Sequence, residues 1–468
     1  MKISRFIIAV LTTIIFVAMI SCSPSVKTDG NITASEQGVL SSDSTESLEE
    51  TVIGENAYEE LCSPEEIARL SYSEYKSDSL SDILSKSNSF AFMLAPSAYQ
   101  SYDEDNFVIS PISVFLALGM VAECAEADTR EQILSALDIS IDELRSAYSL
   151  LYRLLNVEHL GETESMDYIT TGKLELSNTL WLDDGLKTNQ DCLTALGDKY
   201  YCFGRAVDFD GANEYANKLI RDFIKERTNG LIDKDYNLSR ETLLTIINTL
   251  YLKDVWNDIS MPLDKVDSVA FTNADGSEKS MQMLRGYYVE GQAYESDTYN
   301  GFYTKTLNGY RLKFMMPKDG YTVDQVFTQE NLSEFNSITD FSAVDAENRI
   351  RYYTRCIFPE YTVSYDEDIK GILAESFGIS DLFSQEECNF KGLTESAVYC
   401  ESIKHTVEFN VNDLGIEGAA VTLVEMAGSA MPEEYTEVFY DFIINKAFGF
   451  VLTDPTGAVI FSGVINTL

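Results

Sequence analysis

The chain has 468 residues and a formal charge of −42 at neutral pH, and 45% of its residues are hydrophobic. Such a strong negative charge argues against nucleic acid or an anionic membrane surface as a partner. The hydrophobic content is ample for a large core. The chain contains two histidines and none of the serine-hydrolase, metalloprotease, phosphate-loop or dinucleotide motifs, so we do not expect an enzyme.

The first residues resemble an export signal. Lys2 and Arg5 precede the apolar run 6–20, which is shorter than the ~20 residues of a membrane-spanning helix. Met-Ile-Ser-Cys at 19–22 resembles the lipoprotein box of bacteria, which implies that 1–21 is a signal peptide and that Cys22 carries a lipid. The chain is then expected to be exported, at the cell surface or outside the cell, and lipid-anchored to a bacterial membrane. The alternative is an ordinary secretory signal with an incidental cysteine.

An acidic stretch rich in serine and threonine follows, and we expect 22–79 to be a solvated tether. Ser63 and Pro64, followed by two glutamates, predict the start of a short helix within it. The body, 80–468, has no internal linker and is expected to be one large domain.

The cysteines include no Cys-x-x-Cys pair, so we expect scattered buried thiols, with no metal site, redox motif or cofactor. The sequence does not determine a disulfide pairing. The cysteines are Cys22, Cys62, Cys124, Cys192, Cys202, Cys356, Cys388 and Cys400.

Hydrophobic periodicity predicts the elements of the body. A helix is predicted at 82–94, and the sequence NFVISPIS at 106–113 leads into a second helix at 114–121, which its two serines are expected to cap. An amphipathic helix is predicted at 213–227 and ends at the Thr-Asn-Gly of 228–230. The other predictions are strands at 177–182, 245–253, 403–410, 443–452 and 458–464, a strand and turn at 314–320, and a helix at 369–377.

The segment 412–430 is compatible with two structures. As a strand, it has one uncharged face, whereas Glu417 and Glu425 share the other face. Its glycines, its small residues and the acidic, proline-containing stretch 431–441 suit an exposed loop as well. The residues of the uncharged face are Ile416, Gly418, Ala420, Thr422, Val424, Met426 and Gly428.

This segment resembles the hinge and reactive loop of serpins, in which glycine and glutamate precede a run of small residues ending in threonine. Leu414 and Ile416 depart from the family pattern. The NFVISPIS sequence, the Thr-Asn-Gly at 228–230, the strand that ends near Trp256 and the FMMPKDG sequence at 314–320 resemble the family in the same order. The resemblance implies an α+β serpin fold with three β-sheets, about eight to nine helices and an exposed reactive-centre loop.

The resemblance also implies roles for particular residues. The implied hinge is Gly415, Ile416, Glu417, Gly418, Ala419, Ala420, Val421 and Thr422. The implied shutter, a hydrogen-bonded cluster beneath the central sheet, is Ser110, Ser113, Asn248 and His405. Trp256, just after the predicted strand 245–253, matches the tryptophan of the region that is called the breach in serpins. His159 is expected to be a surface residue.

The expected reactive bond, counted from Gly415, is Ser429–Ala430. A count back from the strand that contains Phe448 gives a bond several residues later. The alternatives left open are Met426, Ala427, Gly428 and Met431.

The implied function is suicide-type inhibition of serine, or alternatively cysteine, endopeptidases, in which the cleaved loop inserts into the central sheet. Because 415–441 contains no Lys or Arg, an elastase- or subtilisin-like target is expected. We expect a monomer that binds no nucleic acid and meets a membrane only through its lipid. The alternatives are a non-inhibitory serpin-fold carrier and a lipoprotein that binds a small solute.

Overall fold

The structure is a computed structural model that describes residues 58–64, 66–102, 105–162, 168–256, 262–338, 341–417 and 435–468. These residues belong to one compact unit in which helices surround three β-sheets. The predicted α+β class and its three sheets are confirmed. In the described ranges, no helix is both long enough and apolar enough to cross a bilayer.

Ten α-helices lie in the described part of the chain, and two of them are single turns too short to show a periodicity. The helices are α1 (Tyr72–Tyr75), α2 (Asp78–Gln100), α3 (Pro111–Cys124), α4 (Ala127–Ala136), α5 (Ile141–Leu154), α6 (Gln190–Tyr200), α7 (Asn213–Arg227), α8 (Val323–Val326), α9 (Gln329–Ser337) and α10 (Lys370–Phe377). A 3₁₀ turn follows at Asp381–Phe383.

The helix start predicted at Ser63 and Pro64 is wrong. The first helix is instead capped by Ser71, whose side chain forms a capping box with Glu74. Ser63 and Pro64 directly follow a strand and have no regular structure. The prediction failed because the Ser-Pro signal is not followed by the apolar periodicity that a helix needs for packing.

The described strands are β1 (Glu59–Cys62), β2 (Asn106–Ile109), β3 (Val157–Glu162), β4 (Tyr168–Asp183), β5 (Cys202–Val207), β6 (Leu244–Val255), β7 (Asp264–Thr272), β8 (Glu278–Arg285), β9 (Val289–Glu290), β10 (Tyr294–Glu295), β11 (Tyr299–Lys305), β12 (Arg311–Pro317), β13 (Val344–Asp345), β14 (Ile350–Phe358), β15 (Tyr361–Asp368), β16 (Lys404–Val411), β17 (Gly415–Ile416), β18 (Thr436–Ile443), β19 (Phe448–Thr453) and β20 (Val459–Ile465). The single strand predicted at 443–452 is wrong, because 444–447 connects β18 in one sheet to β19 in another.

The large sheet has eight strands in the order β1-β5-β4-β6-β17-β16-β15, and β3 also pairs with β4. β1 lies in the segment assigned to the tether and pairs antiparallel with β5 at the edge of this sheet. A second sheet has the order β10-β11-β12-β19-β20-β2, and a third contains β13, β14, β8 and β7, with β9 and β18 also paired to β14.

Two helices cover opposite faces of the large sheet. α3 is almost entirely buried and packs against β6 of the large sheet and β20 of the second sheet. On the other face, α7 packs Ile220, Phe223 and Ile224 against Trp181 of β4. The middle of the large sheet is therefore enclosed on both sides, as expected for a buried sheet.

Candidate functional site

The strands β6 and β16 of the large sheet are parallel to each other and are joined, among the described strands, only by the two residues of β17. Gly415 pairs with Val255, and Ile416 pairs with Asp254 on one side and Val411 on the other. Beyond β17 the two long strands flank a gap. Among the described strands, the large sheet thus has only these two residues of a central strand between β6 and β16.

The gap opens into a cavity of about 660 Å³. Its walls include the first part of β6, the first part of β16 and the buried face of α3. Ser110, Ser113, Asn248 and His405, the four residues predicted as the shutter, all line it.

Gly415 is required by a close approach of two backbones. A Cβ atom at this position would lie 2.1 Å from the carbonyl oxygen of Asp254 and 2.9 Å from the Cα of Val255. Only glycine allows β17 to approach β6 this closely. Its neighbour Ile416, one of the two residues that depart from the family pattern, is 1% exposed and is already buried in the large sheet.

Trp256 fixes the turn that leads into β17. Its indole Nε1 donates to the carbonyl oxygen of Asn412 (2.7 Å), and its backbone N–H donates to Leu414 (3.2 Å). The Trp256 ring is buried and contacts Phe358 edge-on, with centroids 5.3 Å apart. Trp256 therefore lies at the end of the gap where β17 is seated.

Glu417 directly follows β17 and has a left-handed backbone with φ of 50°. Its N–H donates to the carbonyl oxygen of Asn410 (3.0 Å), and its carboxylate is half-buried. Burial raises the pKa of Glu417 to about 7, although a hydrogen bond with Tyr251 and the charge of Lys253 oppose that rise. Its side chain lies on the same face as Tyr251, opposite to that of Ile416.

Asp254 is a second acid beside β17, and sequence reasoning missed it. The side chain is fully buried, and it accepts hydrogen bonds from Thr306 Oγ1 and Asn308 Nδ2, both at 2.7 Å. Burial raises the pKa of Asp254 to about 7. An acid directly after the predicted strand 245–253 was the available signal, but its partners lie in a distant turn.

Three of the predicted shutter residues meet at the start of α3. The backbone N–H of Ser110 donates to Nε2 of His405 (3.1 Å), and the Ser110 hydroxyl lies 3.0 Å from that of Ser113. The Ser110 hydroxyl also donates to the carbonyl oxygen of Ile460 (3.0 Å). Ser110 occupies the N-cap position of α3 without a side-chain cap, so the prediction that its hydroxyl caps the helix is wrong.

His405 is neutral in this environment. Desolvation lowers the pKa of the buried imidazole to about 4, and Nε2 accepts rather than donates. The ring nitrogen is thus fixed as an acceptor by the Ser110 N–H.

Asn248 lines the same cavity but bonds elsewhere. Its Nδ2 donates to Oδ1 of Asn178 (2.6 Å), its direct partner across the β4–β6 ladder. Asn178 in turn donates to Tyr148 Oη (2.9 Å) and to the carbonyl oxygen of Tyr200 (2.7 Å). Sequence reasoning missed Asn178, whose only signal is an amide side chain near the start of the predicted strand 177–182. Oδ1 of Asn248 is buried without a hydrogen-bond partner in the described part of the chain.

His159 is half-buried, not a surface residue. It lies on β3, its ring contacts that of Tyr310 edge-on, and burial lowers its pKa. The predicted sites that lie outside the described residues are Cys22, Gly418, Ala419, Ala420, Val421, Thr422, Ser429 and Ala430.

One group of acids has the spacing of a cation site within the described ranges, namely Asp183, Asp184 and Asp208. Asp183 already accepts hydrogen bonds from the backbone of Gly185 and Phe209, and Asp208 accepts one from Gly211. These contacts account for two of the three acids as turn caps.

Comparisons with known proteins agree with this architecture. The family model described as "Serpin (serine protease inhibitor)" matches residues 85–467. An uncharacterized serpin-like protein of Methanosarcina acetivorans is 24% identical over 396 residues, covering 82% of this chain and 86% of the relative. Human neuroserpin is 24% identical over 377 residues, covering 77% and 86%.

Solved structures share the fold. The thermophilic serpin tengpin in its native state has a TM-score of 0.66 and 22% identity, covering 87% of this chain and 97% of its own. Thyroxine-binding globulin in complex with thyroxine has a TM-score of 0.66 and 18% identity, covering 82% and 99%. With a family model that spans most of its length, the chain belongs to the serpin family.

Proposed function

We propose that this serpin is a suicide-type inhibitor of serine endopeptidases that traps the acyl-enzyme by inserting its cleaved reactive loop into the large sheet. Serpins that are protease inhibitors act on serine proteases. The observation that carries the proposal here is the gap between β6 and β16, which begins where Gly415 and Ile416 are already paired. The inserting strand would extend a ladder that already exists.

The register of β17 supports a specific inserted position. Continuing the pairs Gly415–Val255 and Ile416–Asp254 along β6 would bring Thr422 opposite Asn248. Continuing the pair Ile416–Val411 along β16 would bring Thr422 opposite His405. A hydroxyl between these two side chains would offer a partner to the buried Oδ1 of Asn248.

The pattern of charge in the loop agrees with insertion. The unfilled part of β6, 244–253, extends about 33 Å at ~3.3 Å per residue. The residues that would share the buried side of Ile416 carry no charge, whereas Glu417 and Glu425 would share the side of Tyr251. The segment 415–429 contains no proline and carries no charge on the core side, either of which would oppose insertion.

The target we propose is an elastase- or subtilisin-like enzyme that cuts at Ser429–Ala430. Small and apolar residues surround this bond, and 415–441 offers no Lys or Arg to a trypsin-like pocket. The target's own nucleophile would form the acyl-enzyme ester, and insertion of the strand would carry the attached enzyme away before the ester is hydrolysed.

Mixing the protein with pancreatic elastase and with subtilisin tests this function. We expect a covalent complex that survives denaturing electrophoresis. Thr422→Arg would place a charge on the core side and should be cleaved without a complex, whereas Glu425→Arg, a matched change on the opposite side, should still trap. Cleavage of the wild-type loop by both enzymes without any complex would refute inhibition.

The alternative is a non-inhibitory carrier. The cavity of about 660 Å³ has the size of a small-molecule site, and the fold neighbour thyroxine-binding globulin was solved with thyroxine. Heating separates the two functions. Loop-nicked inhibitor should melt well above the intact protein because a strand has been added to the large sheet, whereas a carrier that does not insert should melt at an unchanged temperature.

We also propose that the protein is exported and anchored at a bacterial membrane by lipid on Cys22. The lipoprotein-like sequence at 19–22 supports this location. Expression in a bacterium with a clickable fatty acid should label the wild type and leave Cys22→Ser unlabelled in the soluble fraction. Equal labelling of both would refute the anchor.

A further inference from the structure

Two cysteines meet where the segment that precedes the family match joins the edge of the large sheet. Cys62 is the last residue of β1, and Cys202 is the first residue of β5. Cys62 pairs with Gly204, so Cys202 is its diagonal neighbour on the same side of the ladder. The Cys62 thiol donates to the carbonyl oxygen of Cys202 (3.6 Å), so its sulfur lies against the Cys202 residue.

Two glycines make room for Cys62. A Cβ atom at Gly204 would lie 2.7 Å from the Cys62 sulfur, and one at Gly197 of α6 would lie 3.1 Å from the carbonyl oxygen of Ser63. The first contact is too short for any side chain other than glycine unless the sulfur moves. The end of β1 is therefore fitted into space that α6 and β5 leave open.

Two further thiols, Cys124 and Cys192, lie nearby, and both are buried. A thiolate metal site would need at least three sulfurs within 4.8 Å of one another. In the described ranges, the only potential metal ligands that lie this close together are three aspartates, so these cysteines do not form such a site. Pairs of thiols are suited to disulfide formation instead.

We propose that Cys62 and Cys202 form a disulfide under oxidising conditions and thereby fasten the segment at 58–62 to the edge of the large sheet. The oxidant is a small-molecule or protein disulfide. The thiolate of Cys62 attacks one of its sulfurs and releases one thiolate; Cys202 then loses its proton to solvent and attacks the Cys62 sulfur, which releases the second thiolate. Two electrons pass to the oxidant, which leaves as two thiols.

The two cysteines differ in the way this sequence requires. Cys62 is partly exposed, and hydrogen bonding to Cys202 lowers its pKa. Cys202 is fully buried, and burial raises its pKa, so it suits the second, resolving step. Cys124 and Cys192 are both buried, so they are less accessible to an oxidant than Cys62 is.

The bond has a structural consequence that does not depend on protease inhibition. β1 adds hydrogen-bonded backbone to β5, which would otherwise be the edge strand of that part of the large sheet. Only four residues hold it there, and two of them have exposed side chains whereas the other two are partly buried. A disulfide at the last of them would keep this edge covered.

The test uses the full chain, treated either with glutathione disulfide or with dithiothreitol. After acid quenching, denaturation and alkylation, peptide mapping should find a Cys62–Cys202 peptide and the loss of two alkylatable thiols in the oxidised sample only. Trypsin cleavage at Arg69 or Lys76 should then release the N-terminal fragment only after reduction. Cys388→Ser, which alters another partly exposed cysteine, should leave both results unchanged, and Cys62→Ser should abolish both.

Alkylation of Cys62 in the oxidised sample, with no linked peptide, would overturn the proposal. Linkage of Cys62 to Cys388 or Cys400 in place of Cys202 would overturn it as well. Both readouts use the wild-type protein, so they do not depend on whether a variant folds.

Discussion

Gly415→Ala should remove β17 from the large sheet. The new Cβ would lie 2.1 Å from the backbone oxygen of Asp254. No side-chain rotation can relieve this contact, because the backbone fixes the position of Cβ. β17 would have to withdraw from β6, which would break the N–H donation from Trp256 to Leu414 and expose Ile416, now 1% exposed.

The cost follows from these losses. Exposure of an isoleucine costs about 1.5–3 kcal/mol, and a backbone hydrogen bond contributes about 0.5–1.5 kcal/mol. Alanine restricts the unfolded chain more than glycine does, and this offsets about 0.4–1 kcal/mol of the lost stability. The free energy of unfolding should therefore fall by roughly 1–4 kcal/mol.

Denaturant unfolding and tryptophan fluorescence measure this change. The chain has two tryptophans, so a Trp181→Phe background isolates the emission of Trp256, which should shift to the red when Asn412 no longer accepts from its indole. Gly371→Ala is the matched control, because Gly371 is exposed in α10 and a Cβ there meets nothing within 4 Å. If Gly415→Ala unfolds like the wild type with unchanged emission, β17 is not seated as described.

Three further predictions concern buried charge. His405→Gln should remove a stability slope on the acid side: the pKa of His405 is depressed to about 4, so its contribution is present above pH 6.5 and is lost by up to roughly 3 kcal/mol as pH falls towards 4. Asp254→Asn should act oppositely: the pKa of Asp254 is raised to about 7, so the variant should gain up to roughly 4 kcal/mol over the wild type above pH 7, an advantage lost below pH 4. Arg145→Met should cost about 3–5 kcal/mol, because it strips Glu123, 6% exposed, of a bidentate partner. Arg221→Met, which breaks exposed pairs, should cost at most about 1 kcal/mol. Urea titrations of the wild type and of each variant across pH measure all of these changes. The two slopes oppose each other in the wild type between about pH 4 and 6.5, so each variant is compared with the wild type at the same pH. A difference between variant and wild type that does not change with pH would contradict the prediction for that residue.

The residues that the sequence could predict are those whose signal is local. Alternation put Ile416 on an uncharged face, and it is buried in the structure. The amphipathic pattern at 213–227 gave the bounds of α7, because one face of that helix packs on the large sheet. The family resemblance brought Ser110, Ser113 and His405 to one place although they are far apart in the chain.

The missed features depend on register or on distant partners. Asn178 became visible only when the β4–β6 ladder put it directly opposite Asn248. The burial of Asp254 depends on Thr306 and Asn308, which a different turn supplies. β1 is too short to show an alternation, and its position at the edge of the large sheet results from pairing with β5. Single-sequence patterns do not contain this information.

The two ends of the gap respond to pH in opposite directions. At the end that holds β17, Asp254 and the half-buried Glu417 both have pKa values raised to about 7, so their contributions decline as pH rises through 7, that of Glu417 less because solvent screens it. At the shutter, His405 contributes least as pH falls from 6.5 towards 4. Loosening as pH rises from about 4 towards 7 should therefore begin beside Trp256, and loosening as pH falls from 6.5 towards 4 should begin beside Ser110. A gap that opened from the same end at both extremes would mean that these buried groups do not control it.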